Sequence, residues 1–222
     1  MGLMDNLLKL ITGRTIRACN TNPVLSLVFD VTGRGLPDSA ILAELERVGS
    51  GATLAVDAGL FKTRDDEKQA ERLFHRGHEF AVRSEGVAAN AKALYRAIPD
   101  VYISTVLASG SSSLTAARDF AAVVSRRRGF NVGVLNLGHL HSESFTRARE
   151  AQIGEVLDRA VITRGWVILV IPAGSTDEHQ VDATSIHAIC EEAQAQNFEI
   201  LTVRNGLGAI GWDRDWRPER DS

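Results

Sequence analysis

Asp30 closes a run of apolar or small residues, Val24 to Phe29, bounded by Pro23 on one side and the glycine-rich VTGRG on the other. A short apolar run between such breakers reads as a buried strand. The Asp30 carboxylate then stands at a strand C-terminus, the end where folds that alternate strand and helix hold their reacting groups. Asp57, after ATLAV, and Glu85, after HEFAVRS, occupy comparable strand ends. Carboxylates sharing one mouth could divide acid and base roles if their surroundings push their pKa values apart. Asp30 also has a plain structural reading, accepting hydrogen bonds from loop amides or pairing with Arg83. His139 and His141, in GHLHSES, are two residues apart. On a strand that spacing puts both on one face, and with Glu143 they could hold a metal. A polar loop explains the same residues. Residues 109–113, SGSSS, open a predicted helix, and their N–H and hydroxyl groups suit either an anion or simple capping. No nucleophile elbow, phosphate loop or dinucleotide fingerprint is present.

The elements that must position these residues alternate. Residues 4–17 carry apolar side chains at 4, 7, 8, 10 and 11 and read as a short amphipathic helix. It suits packing across a barrel bottom better than a membrane interface, because no aromatic residue is present and Lys9, Arg14 and Arg17 are its basic residues. After the Asp30 strand come a helix capped at Asp38 or Ser39 and ended by Gly49, the ATLAVDAG strand, a polar helix over 65–77, and the HEFAVRSEG strand. An alanine-rich helix before Pro99 leads to VYISTVLASG, a fourth strand. SSSLTAARDFAAVVSRRRG reads as a helix with a serine cap and a glycine stop. FNVGVLNLGHLHSE is a fifth strand, AQIGEVLDRAVITRG a helix, WVILVIPAG a sixth strand, VDATSIHAICEEAQAQN a helix and FEILTV a seventh strand. The polar tail from Asn205 carries Trp212 and Trp216. Such alternation implies a parallel sheet with crossover helices. It leaves open whether about seven strands close into a barrel or form an open doubly wound sheet.

The 222 residues suit one α/β domain, and 44% hydrophobic residues allow a normal core. A formal charge of −3 carries no polyanion footprint, so nucleic acid is not expected as a partner. Cys19 and Cys190 are far apart and form no metal pattern. Reduced, buried thiols and the lack of a signal peptide point to the cytoplasm, and no apolar run is long enough to span a bilayer.

Several stretches resemble the polysaccharide deacetylases, the NodB-homology domain of carbohydrate esterases. LSLVFDV resembles the first motif, an apolar strand, a Phe and then two aspartates. GATLAVDAG resembles the second strand, and ERLFHRGHEFAVRSEG the helix and strand of the second motif, including Gly77, His78 and Glu79. RRRGFNVGVLNLG, RGWVILVIPAG and NFEILTV resemble later units, so the likeness spans residues 23–203. It implies a distorted (β/α) barrel of about seven parallel strands in a single domain. The expected organisation is an N-terminal helical extension over 1–22, the barrel over 23–204 and a tail over 205–222.

The family removes N-acetyl groups from sugars with a divalent metal. The resemblance implies that Asp30 holds the place of the general base. The metal-binding aspartate is replaced by Val31, and the two metal-binding histidines by Arg83 and Val87. VLASGSSS offers no third-motif arginine, and IPAG no acid histidine. Such a metal would activate water and polarise the amide, but Val has no lone pair and a guanidinium repels a cation. No cofactor is therefore expected, a divalent metal having room only at a non-standard site such as His139 and His141. Arg83 would fill the vacated volume, neutralise Asp30 and could take a carboxylate or phosphate. The reading is a divergent deacetylase-like protein of carbohydrate metabolism that binds a glycan at the barrel mouth around Asp30, Asp57, Arg83, Glu85, His139 and His141. Its alternatives are a non-catalytic subunit of a polysaccharide-building machine, which would need a protein partner, and a hydrolase with a relocated metal site.

Overall fold

The computed structural model describes residues 15–18, 21–32, 35–109, 120–173 and 181–212. Strand β1 (Thr15–Arg17) precedes β2 (Val24–Val31), α1 (Ser39–Arg47), β3 (Thr53–Val56), α2 (Arg64–His75), β4 (Glu79–Arg83), α3 (Val87–Ala97) and β5 (Thr105–Leu107). There follow β6 (Ala122–Val124), β7 (Val134–Asn136), β8 (Glu143–Ser144), α4 (Ile153–Thr163), β9 (Trp166–Ala173), α5 (Ala183–Ala195), β10 (Glu199–Ile200) and α6 (Val203–Ala209).

Seven parallel strands run in the order β6-β5-β4-β3-β2-β9-β8, and β10 pairs with the start of β2. The sheet curls because the segment around β8 reaches both of its edges. Leu140 N–H donates to Val123 O and Ser125 N–H to Leu140 O, while Phe145 N–H donates to Val170 O. The result is the distorted (β/α) barrel.

Strand alternation sorts β2 into two faces. Leu25, Leu27, Phe29 and Val31 pack outward, in one core with residues of α1, α5 and the other helices. Val24 and Val28 face inward with Ala55, Ala81, Leu107, Val124, Ile168 and Val170. Trp166 fills the bottom of this interior, and its Nε1–H donates to Ser26 Oγ at 2.9 Å. Helix α6 lies directly under the indole through Gly206, where a Cβ would come within 2.7 Å of the ring.

Four local expectations give way to tertiary structure. Thr15–Arg17 form β1, antiparallel to β7, instead of ending a helix, because two β-branched residues find a partner strand far along the chain. The remainder of that helix, 4–14, lies outside the described residues. AAVV is not helical: Ala122 and Val124 turn into the barrel and Val123 away from it, so burial overrides alanine's helix preference. Residues 110–119 of the same predicted helix also lie outside the described residues. The expected fifth strand is divided between β7, which pairs with β1 apart from the barrel, and the closing segment at β8. The last strand is two residues long, and α6 crosses the expected boundary at 204/205, burying Val203, Leu207 and Ile210.

Cys190 is buried, and burial pushes its thiol up to about 11. Among the described residues no helix is long and apolar enough to cross a membrane.

Candidate functional site

Asp30 is in phase with Val24 and Val28, so its side chain points into the barrel at the C-terminal mouth. It is 7% exposed. Arg83, the last residue of β4, places Nε 3.3 Å from Asp30 Oδ1, and Arg126 Nη2 bonds Oδ2. Arg83 Nη2 lies 3.7 Å from Glu85 Oε1. The structure therefore brings Asp30, Arg83 and Glu85 into one chain of charges. Burial alone would raise the Glu85 carboxyl. The Ser109 hydroxyl, its own backbone N–H, Arg83 and Arg126 outweigh that and hold it below the usual carboxylate range. Ser109 N–H also donates to Ser84 Oγ at 3.0 Å. Residues 110–113 of the serine run lie outside the described residues.

Asp57 continues the extended backbone of β3, in phase with inward Thr53 and Ala55. Its Oδ1 is buried and accepts no hydrogen bond among the described residues. Asn90, buried on α3, fastens the loops that carry these groups. It accepts from Ala58 N–H at 2.8 Å and donates to the carbonyls of Arg83 and Glu85 at 3.2 and 2.7 Å.

His139 and His141 flank Leu140, which bridges Val124 at the C-terminal end of β6. His139 ends a short 3₁₀ turn (Leu137–His139), and the two rings meet edge-on at 5.9 Å. His141 N–H donates to Asn131 Oδ1, and Asn131 Nδ2 donates to Trp166 O at the start of β9. No described hydrogen bond or ion pair joins either histidine to the Asp30 group. Glu143 faces Arg128 at 4.0 Å instead. Burial, then Arg127 and His141, push the His139 imidazole below its usual range.

The donor set does not fit the metal that the resemblance implies. Val31 faces the outer core, on the opposite side of β2 from Asp30. Val87 opens α3 and packs against that same core. The Arg83 guanidinium lies on Asp30 itself. Among the described residues no three His, Cys, Asp or Glu side chains converge to hold an ion. What the mouth can do is bind: it offers guanidinium donors and carboxylate acceptors within one opening.

Arg126 and Asn90 escaped the sequence reading. Arg126 lies in RRR, just after AAVV, whose composition suits a helix but which forms β6. Had AAVV been read as a strand, the period of two from Ala122 and Val124 would have put Arg126 at the mouth. Asn90 left no comparable signal on its alanine-rich helix.

No family model and no curated protein matches the sequence. Solved structures do match. The Xyl-CE4 domain of a multidomain xylanase from the hindgut metagenome of Trinervitermes trinervoides is 13% identical with a TM-score of 0.59, over 89% of this chain and 95% of that one. A family 4 carbohydrate esterase from Bacillus anthracis is 13% identical with a TM-score of 0.55, over 94% of both chains. A pseudoenzyme of that esterase family from the same organism is 10% identical with a TM-score of 0.54, over 85% of this chain and 66% of that one. At these identities the likeness is one of fold, and the fold is that of the family 4 carbohydrate esterases.

Proposed function

We propose that this chain is a glycan-binding protein of carbohydrate metabolism that keeps a deacetylase fold and has lost metal-dependent de-N-acetylation. One observation carries the reading: Arg83 and Arg126 both close on Asp30. A carboxylate committed to two guanidinium groups is a poor water-activating base. The space beside it holds permanent positive charge where a Lewis acid would be needed. Asp30, Asp57, Arg83 and Glu85 are the proposed ligand-binding residues. Hydroxyl groups of a sugar could accept from the partly exposed Arg126.

The same closure supports a second reading, a non-catalytic subunit of a polysaccharide-building assembly, in which the mouth serves as a fixed scaffold. Two measurements separate these readings from catalysis. Acetate release from N-acetylated chitooligosaccharides, assayed with added zinc or cobalt, is expected to stay at background. Calorimetric binding of the same oligosaccharides is expected, and it should weaken in Arg126→Gln. Turnover that Asp30→Ala abolishes would overturn the loss of catalysis. Absence of glycan binding would favour the scaffold.

A further inference from the structure

A cavity of about 230 Å³ opens at the strand starts, the end of the barrel remote from Asp30. Its lining includes Phe74 and Glu79 from the α2–β4 region, Tyr102 before β5, and Arg204, Asn205 and Trp212 in and after α6. It is smaller than the roughly 300–1,000 Å³ of drug-sized sites, which suits a ligand of a single ring.

The polar groups in this lining fall into two sets. His78 and Glu79 are spent on the fold. His78 Nδ1 accepts from Ala52 N–H and Nε2 meets Glu46, while both Glu79 oxygens already accept two hydrogen bonds each. Arg204 is different. Its backbone N–H holds Glu79, but its guanidinium makes no hydrogen bond or ion pair among the described residues and lies 4.8 Å over the Tyr102 ring. A cation held over a ring face keeps its N–H donors available. A planar, exposed fork held at a cavity rim matches a carboxylate in bidentate geometry. Tyr102 and Trp212 offer ring surfaces beside it, and the exposed Asn205 offers an amide for hydroxyl groups.

We propose that this cavity binds a small sugar acid, a pyranose bearing a carboxylate, with Arg204 as the carboxylate partner. The site is separate from the mouth and would extend the protein's recognition to a charged saccharide.

Calorimetry of the full chain with D-glucuronate and D-glucose tests this. Glucuronate is expected to bind with a millimolar Kd, at least about tenfold more tightly than glucose. Arg204→Gln is expected to remove that advantage, and Arg204→Lys, which keeps the charge but not the fork, to fall between. The Arg204 side chain makes no hydrogen bond or ion pair among the described residues, so both variants should melt like the parent. Arg47→Gln, which removes an exposed cation from the outer surface of α1, should bind glucuronate as the parent does. Equal affinity for the two sugars, no glucuronate binding, or full binding by Arg204→Gln would each overturn the proposal. Binding lost in Arg83→Gln but kept in Arg204→Gln would place the acid at the mouth. That outcome would sink this cavity and leave the mouth reading intact.

Discussion

Asp30 and Glu79 are buried to the same degree at opposite ends of one barrel, each 7% exposed, and the chain satisfies them in opposite ways. Asp30 is met by two cations on long side chains, Arg83 from β4 and Arg126 from beyond β6. Glu79 is met by neutral donors: the hydroxyls of Thr53, Ser104 and Thr105 at 2.8–3.0 Å and the N–H of Arg204 at 2.9 Å. Thr53 Oγ1 also accepts from Val203 N–H, so the Glu79 cluster ties β3, β4, β5 and α6 together. Short donors on strands leave no freedom, whereas guanidinium groups reaching across a mouth can swing away when a ligand offers another acceptor. Equal burial thus hides two arrangements: the lower carboxylate is locked by neutral donors from strands and helix, and the upper one is held by two cations.

The largest effect is expected at the mouth but on its wrong face. Restoring the family's second aspartate by Val31→Asp would put a charge among Leu27, Phe29 and the helices, not beside Asp30. A loss of about 4 kcal/mol is expected in urea denaturation, with no gain in metal binding. A stable, zinc-binding Val31→Asp protein would break the two-faced account of β2. Glu79→Ala comes next. It leaves three hydroxyls and one N–H without their acceptor and is expected to cost about 3 kcal/mol. Asp30→Asn should cost less, about 1–2 kcal/mol, because Arg126 is partly exposed and water can take over its donors. If Asp30→Asn proves more damaging than Glu79→Ala, the assignment of lock and adjustable end is reversed.

Much of this contrast could be read in the sequence, and the unread part has a physical cause. Strand β2 was legible because a buried parallel strand is a continuous apolar run, and Asp30 stood out as its one carboxylate. Arg83 was legible as a cation where the resemblance implies a metal ligand. Arg126 was not, because AAVV has the composition of a helix and becomes a strand only by pairing with β5 and Leu140. The Glu79 cluster was equally hidden. Its donors lie 25, 26 and 125 positions away, and no local pattern announces a hydrogen bond across such distances. Local periodicity reports burial well, but it cannot report which buried polar groups meet.

Acid should act on the two ends in different windows. At the lower end the His78 side chain is fully buried, with Nδ1 accepting from Ala52 N–H at 3.0 Å, so its proton sits on Nε2 toward Glu46. A second proton would have to enter at Nδ1 against that N–H. Burial, helped by Arg76, holds the imidazole below its usual 6.5, against the opposing pull of Glu46. The unfolded chain therefore takes up this proton first. Stability contributed by neutral His78 is present above about pH 6.5 and is lost as pH falls toward the folded value, by at most about 1.4 kcal/mol per pH unit. His139 shifts in the same direction and adds to the same window. Glu85 at the mouth is depressed, so its contribution is lost only below the usual 4.5 of a glutamate. Urea midpoints measured from pH 8 to 4 should fall first as the pH drops below about 6.5. His78→Gln should flatten that slope to the His139 share, and Glu85→Gln should leave it unchanged. A slope that survives His78→Gln and His139→Gln together would mean that these buried imidazoles do not titrate first, and the contrast between them and the mouth carboxylate Glu85 would fail.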